Sequence, residues 1–202
     1  MGRRGPKPVK ADAIAKAALA LFVELGVKGA TTRAIARRAQ TTEGSLYRYY
    51  ASKEELARRV LSNCLVEFGE SIARALEGVT GPRQRLRTFV LAYLEYARRA
   101  PLEHALIVQT HNLNPGGFPD EILRPRRILT EILAAGNAGG EFDGQDPRQT
   151  APFVAGGLDR VIALLASGRG EFDAAQVGEA MCDSVEKLVG VRRDAERAAV
   201  ER

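Results

Sequence analysis

The 202 residues suit one ordinary domain, or two small ones sharing a core, and can bury an interior without metals or disulfides. Hydrophobic residues make up 45% and charged residues 27%, which excludes a disordered chain. The formal charge of +5 is unevenly spread: residues 1–53 hold eleven Lys/Arg against Asp12, Glu24 and Glu43, a net +8, and residues 54–202 come to −3. A basic head on a mildly acidic body points to a polyanion, either nucleic acid or a membrane surface. No apolar run approaches the roughly 20 residues of a spanning helix. Lys10, Asp12 and Lys16 interrupt any signal-peptide core behind the basic start, so a cytoplasmic, unexported chain is expected. Cys64 and Cys182 are too few and too distant for a disulfide framework or a zinc site. Two thiols in a reducing cytosol is the expectation, with a bridge between them as the alternative.

The pattern is helical almost throughout. Residues 1–8 (Met-Gly-Arg-Arg-Gly-Pro-Lys-Pro) read as a basic arm, because prolines deny a helix its donors. From about Val9 to Leu25, the residues Ile14, Ala18, Leu21, Phe22 and Leu25 recur on one helical face, and Gly26 supplies a left-handed stop. Thr31 or Thr32 caps a short second helix that buries Ile35, Ala36 and Ala39. Thr42 caps a third, running through Leu46 to about Tyr49. Ser52-Lys-Glu-Glu55 is a capping box that opens a long helix to about Leu76. Further helices are expected from Gly81-Pro82 to Arg99, from Pro101 to about Asn112, and from Asp120 to Ala135. Asn114–Pro119 lies between the last two as a loop, and a glycine-rich loop spans 136–144. Asp146-Pro147 starts a helix to about Ser167, and Asp173 caps the last one, to about Val189. Gly-Glu-Phe-Asp stands at 140–143 and again at 170–173, a recurrent loop too short to be a repeat.

Helix, short helix, turn, short helix is the helix-turn-helix layout. Ala36 and Ala39 let the two short helices cross closely, and Leu46 and Tyr50 anchor the second of them. Its outward face must enter a groove about 12 Å wide while offering hydrogen-bonding groups. Thr41, Thr42, Glu43, Ser45, Tyr47, Arg48 and Tyr49 fit that requirement. Thr31 and Thr32 place hydroxyls and backbone N–H groups at a helix N-terminus, a ready phosphate site, and Arg33 and Lys53 add charge beside it. In the arm, Arg3 and Arg4 either lie in a minor groove or form part of a solubilising tail.

The string Thr31-Thr-Arg-Ala-Ile-Ala-Arg-Arg-Ala39, followed by Thr42-Glu-Gly-Ser-Leu-Tyr-Arg-Tyr-Tyr-Ala-Ser-Lys-Glu-Glu-Leu56, resembles the TetR (tetracycline-repressor-like) family of bacterial regulators. The likeness runs from about Ile14 to Leu56. Gln40 replaces the family's usual turn glycine, Thr41 an apolar residue, and Tyr49 the commoner His. If the backbone at Gln40 is left-handed, its side chain costs about 1 kcal/mol. The resemblance implies an all-α chain of about nine helices. A DNA-binding domain would occupy residues 1–53, and a ligand-binding and dimerisation domain residues 54–202. It further implies a homodimer through the last two long helices, and a repressor that leaves a palindromic operator when a small apolar or amphipathic molecule binds the C-terminal domain.

In the body, Phe89, Tyr93 and Tyr96 fall at i, i+4 and i+7, and Leu106, Gln109, Thr110 and Phe118 follow. By default such a stripe is core; with the resemblance it becomes a candidate pocket wall. His104 and His111 share a helical face, but no third ligand joins them at helical spacing. His104 is therefore grouped with the pocket, and no metal is expected. No catalytic motif, phosphate-cradling loop or cofactor signature is present, so an enzyme is not expected. An alternative for the basic head is a DNA-packaging protein that responds to no ligand.

Overall fold

The computed structural model describes residues 8–111, 124–167 and 174–191. Among these residues every regular element is a helix: α1 (Pro8–Gly29), α2 (Thr32–Arg38), α3 (Glu43–Leu46), α4 (Lys53–Ala75), α5 (Pro82–Arg99), α6 (Pro101–His111), α7 (Arg124–Ala138), α8 (Pro147–Ala166) and α9 (Ala174–Leu188). None of the described helices is long and apolar enough to cross a membrane. The expectations for Arg3, Arg4, Asn114–Pro119, Asp120 and Asp173 fall outside the described residues.

The chain divides into two units, one formed by 1–66 with 100–118 and the other by 67–99 with 119–202. In the first unit α1 packs on α2 and α6, and α2 packs on α3. Ile14, Ala18, Leu21 and Phe22 bury one face of α1, as their spacing requires. Leu25, expected on that face, is instead 56% exposed. One residue later Gly26 leaves helical geometry (φ 70°, ψ 161°), and burial resumes only at Ala30. Pro8 opens α1 where its missing N–H costs nothing, so the helix begins inside the segment expected to be arm. The Ser52 cap is as expected: Ser52 Oγ accepts from Glu55 N at 3.1 Å, and Glu55 Oε2 accepts from Ala51 N at 2.6 Å.

The second unit is arranged around α5, which packs against α7, α8 and α9. Its inward face carries Leu86, Phe89, Val90, Tyr93, Tyr96 and Ala97, all buried. Phe68 of α4 sits edge-on to Tyr93 with centroids 4.9 Å apart, and 4.7 Å from Tyr96. Helix α7 was expected to stop at Ala135 but runs through a buried Gly136 to Ala138. Gly136 is there for packing and not for termination: a Cβ would stand 2.1 Å from the Phe142 ring. The stop comes at Gly140 (φ 67°), where Glu141 N bonds Gly136 O at 2.9 Å and Gly140 N bonds Asn137 O at 3.1 Å. The following loop then seals α9, with Asp143 N donating to Val189 O at 3.1 Å and Gln145 Nε2 to Leu188 O at 2.9 Å. Asp146 caps α8 through Arg148 N at 2.9 Å, ahead of Pro147, as the dipeptide indicated.

Candidate nucleic-acid interface

Each short helix of the first unit begins on a threonine in extended backbone. Thr31 Oγ1 accepts from Ala34 N at 3.1 Å and opens α2; Thr42 Oγ1 accepts from Ser45 N at 3.2 Å and opens α3. Of the two cap candidates for α2, Thr31 is the one used. The turn between the helices is a left-handed cap built on Gln40 (φ 52°), with Thr41 N bonded to Ala36 O at 2.9 Å and Gln40 N to Arg37 O at 3.1 Å. Gln40 is the non-glycine residue with positive φ among the described residues. Ala36 is buried at the crossing, whereas Ala39 is half-buried.

Regular α3 is only four residues long, and the chain continues through Tyr47–Tyr49 as turns. Leu46, fully buried, pins it from below, and Tyr50 packs behind it with its hydroxyl 3.4 Å from Ala11 O. The Arg59 guanidinium stands 5.6 Å from the Tyr50 ring centroid. Thr42 and Arg48 are exposed, as is Tyr47 at 51%. Thr41, Glu43 and Tyr49 are half-buried.

Ser45, expected on the outward face, is 4% exposed and its Oγ accepts from Arg48 Nη2 at 3.3 Å. Ser45 and Tyr47 lie on opposite sides of Leu46, each about 100° round the helix, and it is the Ser45 side that turns inward. Glu43 Oε2 accepts from Thr32 Oγ1 at 2.9 Å. Lys53 Nζ donates to Ala30 O at 3.0 Å and to Lys28 O at 3.4 Å, closing the carbonyl end of α1. Arg33 is exposed. So is Arg38, but it pairs with Glu24 at 2.8 Å, and that hydrogen bond holds the Glu24 carboxyl below its ordinary range.

The residues expected to wall a pocket fall into both units. Phe89, Tyr93 and Tyr96 belong to the second, where Tyr93 Oη donates to Asp159 Oδ1 at 2.6 Å. Burial, and then the Asp159 charge, push the Tyr93 hydroxyl well above its ordinary pKa. His104 and Leu106, both buried, belong to the first unit together with Gln109 and Thr110. Gln109 Nε2 donates to Val23 O at 3.3 Å, and Thr110 Oγ1 to Leu106 O at 2.6 Å. Phe118 and the His111 side chain lie outside the described residues.

Two groups escaped the sequence reasoning. Asp159 is the acid of α8 and stands with Arg160 between apolar runs, a signal present in the sequence. The other is an ion-pair comb. Arg83 Nε and Nη2 reach Glu186 at 3.0 and 3.1 Å, and Arg87 reaches Asp183 at 3.0 Å, Glu186 at 3.2 Å, and Glu179. Its only sequence signal is like charges at helical spacing on two distant helices. Burial works against the Glu186 carboxylate, yet Arg83 and Arg87 hold its pKa below the ordinary value. Cys64 and Cys182 are buried thiols, and burial lifts the Cys182 pKa to about 11.

Residues 14–60 match the model for bacterial regulatory proteins of the tetR family. The chain is 30% identical over 138 residues to the HTH-type transcriptional repressor NicS of Pseudomonas putida; the match spans 65% of this chain and 65% of that protein's length. The fold is similar to that of the ketosteroid transcriptional regulator KstR2 of Mycobacterium tuberculosis, with TM-score 0.73 and 23% identity over 93% of this chain and 98% of that one. It is also similar to the transcriptional regulator FadR of Bacillus subtilis in complex with stearoyl-CoA, with TM-score 0.69 and 19% identity over 86% and 96% of the two chains. The motif from Thr31 to Leu56, the helical architecture and these matches agree, and residues 14–60 form a domain of the tetR family of bacterial regulatory proteins.

Proposed function

We propose that the protein is a cytoplasmic, homodimeric DNA-binding transcriptional regulator, and specifically a repressor that leaves a palindromic operator when a small apolar or amphipathic molecule binds. The carrying observation is the presentation of α3. Leu46 is buried while Tyr47, Thr42 and Arg48 are outward, on a unit whose first 53 residues carry +8. Those three residues, with Thr41 and half-buried Tyr49, are the proposed readers of bases. Thr31, Arg33 and Lys53 flank them for phosphate, with Arg3 and Arg4 in the arm. The functional division is taken at residue 53, with the effector and the second protomer handled by 54–202.

For the dimer, the support lies on α8. Phe153 is 71% exposed, and Gly156 and Gly157 beside it have nothing within 4 Å of a Cβ position. Glycines within a solvated helix cost about 1 kcal/mol each, a cost offset where a partner helix packs against them. Phe153→Glu is expected to move the sedimenting species from dimer to monomer. For the effector, the support is the aromatic group of Phe68, Phe89, Tyr93 and Tyr96 with a polar contact at Asp159. The stearoyl-CoA bound by the Bacillus subtilis FadR relative makes acyl thioesters the first compounds to try.

Selection of bound fragments from genomic DNA tests the reading. Recovery of one short palindrome supports a regulator. Even coverage without a consensus sinks it and favours the packaging alternative.

A further inference from the structure

The short helix that faces the groove begins with an acid. Glu43 opens α3, is half-buried, and accepts the Thr32 hydroxyl proton at 2.9 Å across eleven residues of chain. Thr32 opens α2. The contact therefore joins the first turns of the two helices whose mutual angle sets how α3 meets a groove. We propose that Glu43 is a positioning residue, which with Thr32 fixes the angle of α3 against α2, and that its carboxylate does not read a base. This role rests on the DNA-binding reading above.

Three observations carry it. Thr31 provides the α2 cap, so the neighbouring Thr32 hydroxyl is left to bridge, and its single proton goes to Glu43. Regular α3 is four residues long with one fully buried apolar anchor, Leu46, so a polar tie to α2 adds a second point of attachment. The turn leading into it carries a left-handed Gln40 in place of a conformationally permissive glycine, so the approach to α3 is strained and the tie opposes its relaxation.

The experiment takes the full-length chain and the DNA sequence selected by the wild type. It measures affinity for that sequence and for random duplex of equal length, at fixed salt. The ratio of the two cancels the removal of one negative charge, which strengthens both. Glu43→Ala and Thr32→Val should each lower the ratio about tenfold, the size of one hydrogen bond to a charged group. The double variant should lose no more than either single one. The loss should spread over the whole half-site, and Thr32→Ser, which keeps the donor, should restore it. Glu43→Asp keeps the charge but falls short of Thr32, and should behave like Glu43→Ala; it serves if the alanine variant does not fold. Loss of preference at a single base pair with Thr32→Val silent overturns the role, because Glu43 would then be reading that base. Additive losses, or a wild-type ratio in Glu43→Asp, overturn it too. A wild type that selects no sequence overturns the regulator reading itself, whereas sequence selection unaffected by these variants overturns the positioning role alone.

Discussion

The two units hold their helices by different means. In the first, helix ends are fixed by single polar contacts: threonine caps on α2 and α3, the Thr32–Glu43 bond, and the Lys53 ammonium over the end of α1. Polar groups are used at helix ends, and the residues left over, such as Tyr47, face outward. In the second unit, long helices are held along their lengths. Phe68 packs on Tyr93 and Tyr96 on one side of α5, and Arg83 and Arg87 comb into α9 on another. The first arrangement sets the direction of a surface. The second buries area and links distant segments.

Removing one buried anchor from each unit is the largest test of this contrast. Phe68→Ala in the second unit should cost about 4 kcal/mol, since it leaves a cavity against two tyrosine rings. Leu46→Ala in the first should cost about 3 kcal/mol. Hydrogen exchange, read unit by unit, should show α5 amides losing protection in the first variant and α2 amides in the second. Equal loss everywhere in both variants would mean that the two units do not open separately.

The comb gives a pH-dependent test. Arg87→Met removes the central cation and leaves Glu186 with Arg83 alone, at an expected cost of about 2 kcal/mol. The sign with pH follows from the depressed Glu186 pKa. The folded carboxyl holds its charge below the ordinary value of 4.5, so its stabilisation is present above about that pH. That stabilisation is lost as pH falls through the folded value. Glu186→Gln should therefore flatten the acid limb of the unfolding midpoint and lower the neutral plateau. An unchanged acid limb would remove Glu186 from the account.

What could be read in advance depended on how far apart the causes lie in the chain. The caps at Thr42, Ser52 and Asp146 are legible, and that of α2 to within Thr31 or Thr32, because cap and capped N–H are two or three residues apart. The inward face of α5 was legible because 18 residues display the helical period clearly. The inward turn of Ser45 is not legible, because four residues are too few to establish a helical period. Gly136 reads as a stop in the sequence because its actual reason, the Phe142 ring, lies against it only once the chain has turned back. The Arg83–Glu186 pair spans 103 residues, and nothing local announces it. In the candidate interface, the outward Tyr47 and Arg48 followed from the motif. The ties that engage Glu43 and Lys53 did not, because each depends on where a second helix places its first or last turn.

The smallest effects isolate the backbone itself. The first unit ends α2 on Gln40 (φ 52°), and the second ends α7 on Gly140 (φ 67°), with the same pair of backbone hydrogen bonds. One turn geometry is thus built once with a side chain and once without. A Cβ at Gly140 would have nothing within 4 Å, so Gly140→Ala tests backbone strain without a clash. It should cost about 1 kcal/mol. Gln40→Gly should gain a similar amount, slightly reduced by the greater freedom of glycine in the unfolded chain. Chemical denaturation with an unchanged slope would read both, since neither substitution alters the surface exposed on unfolding. A loss of stability in Gln40→Gly would show that the Gln40 side chain holds the turn through contacts of its own, and the two helix ends would then differ in more than one Cβ.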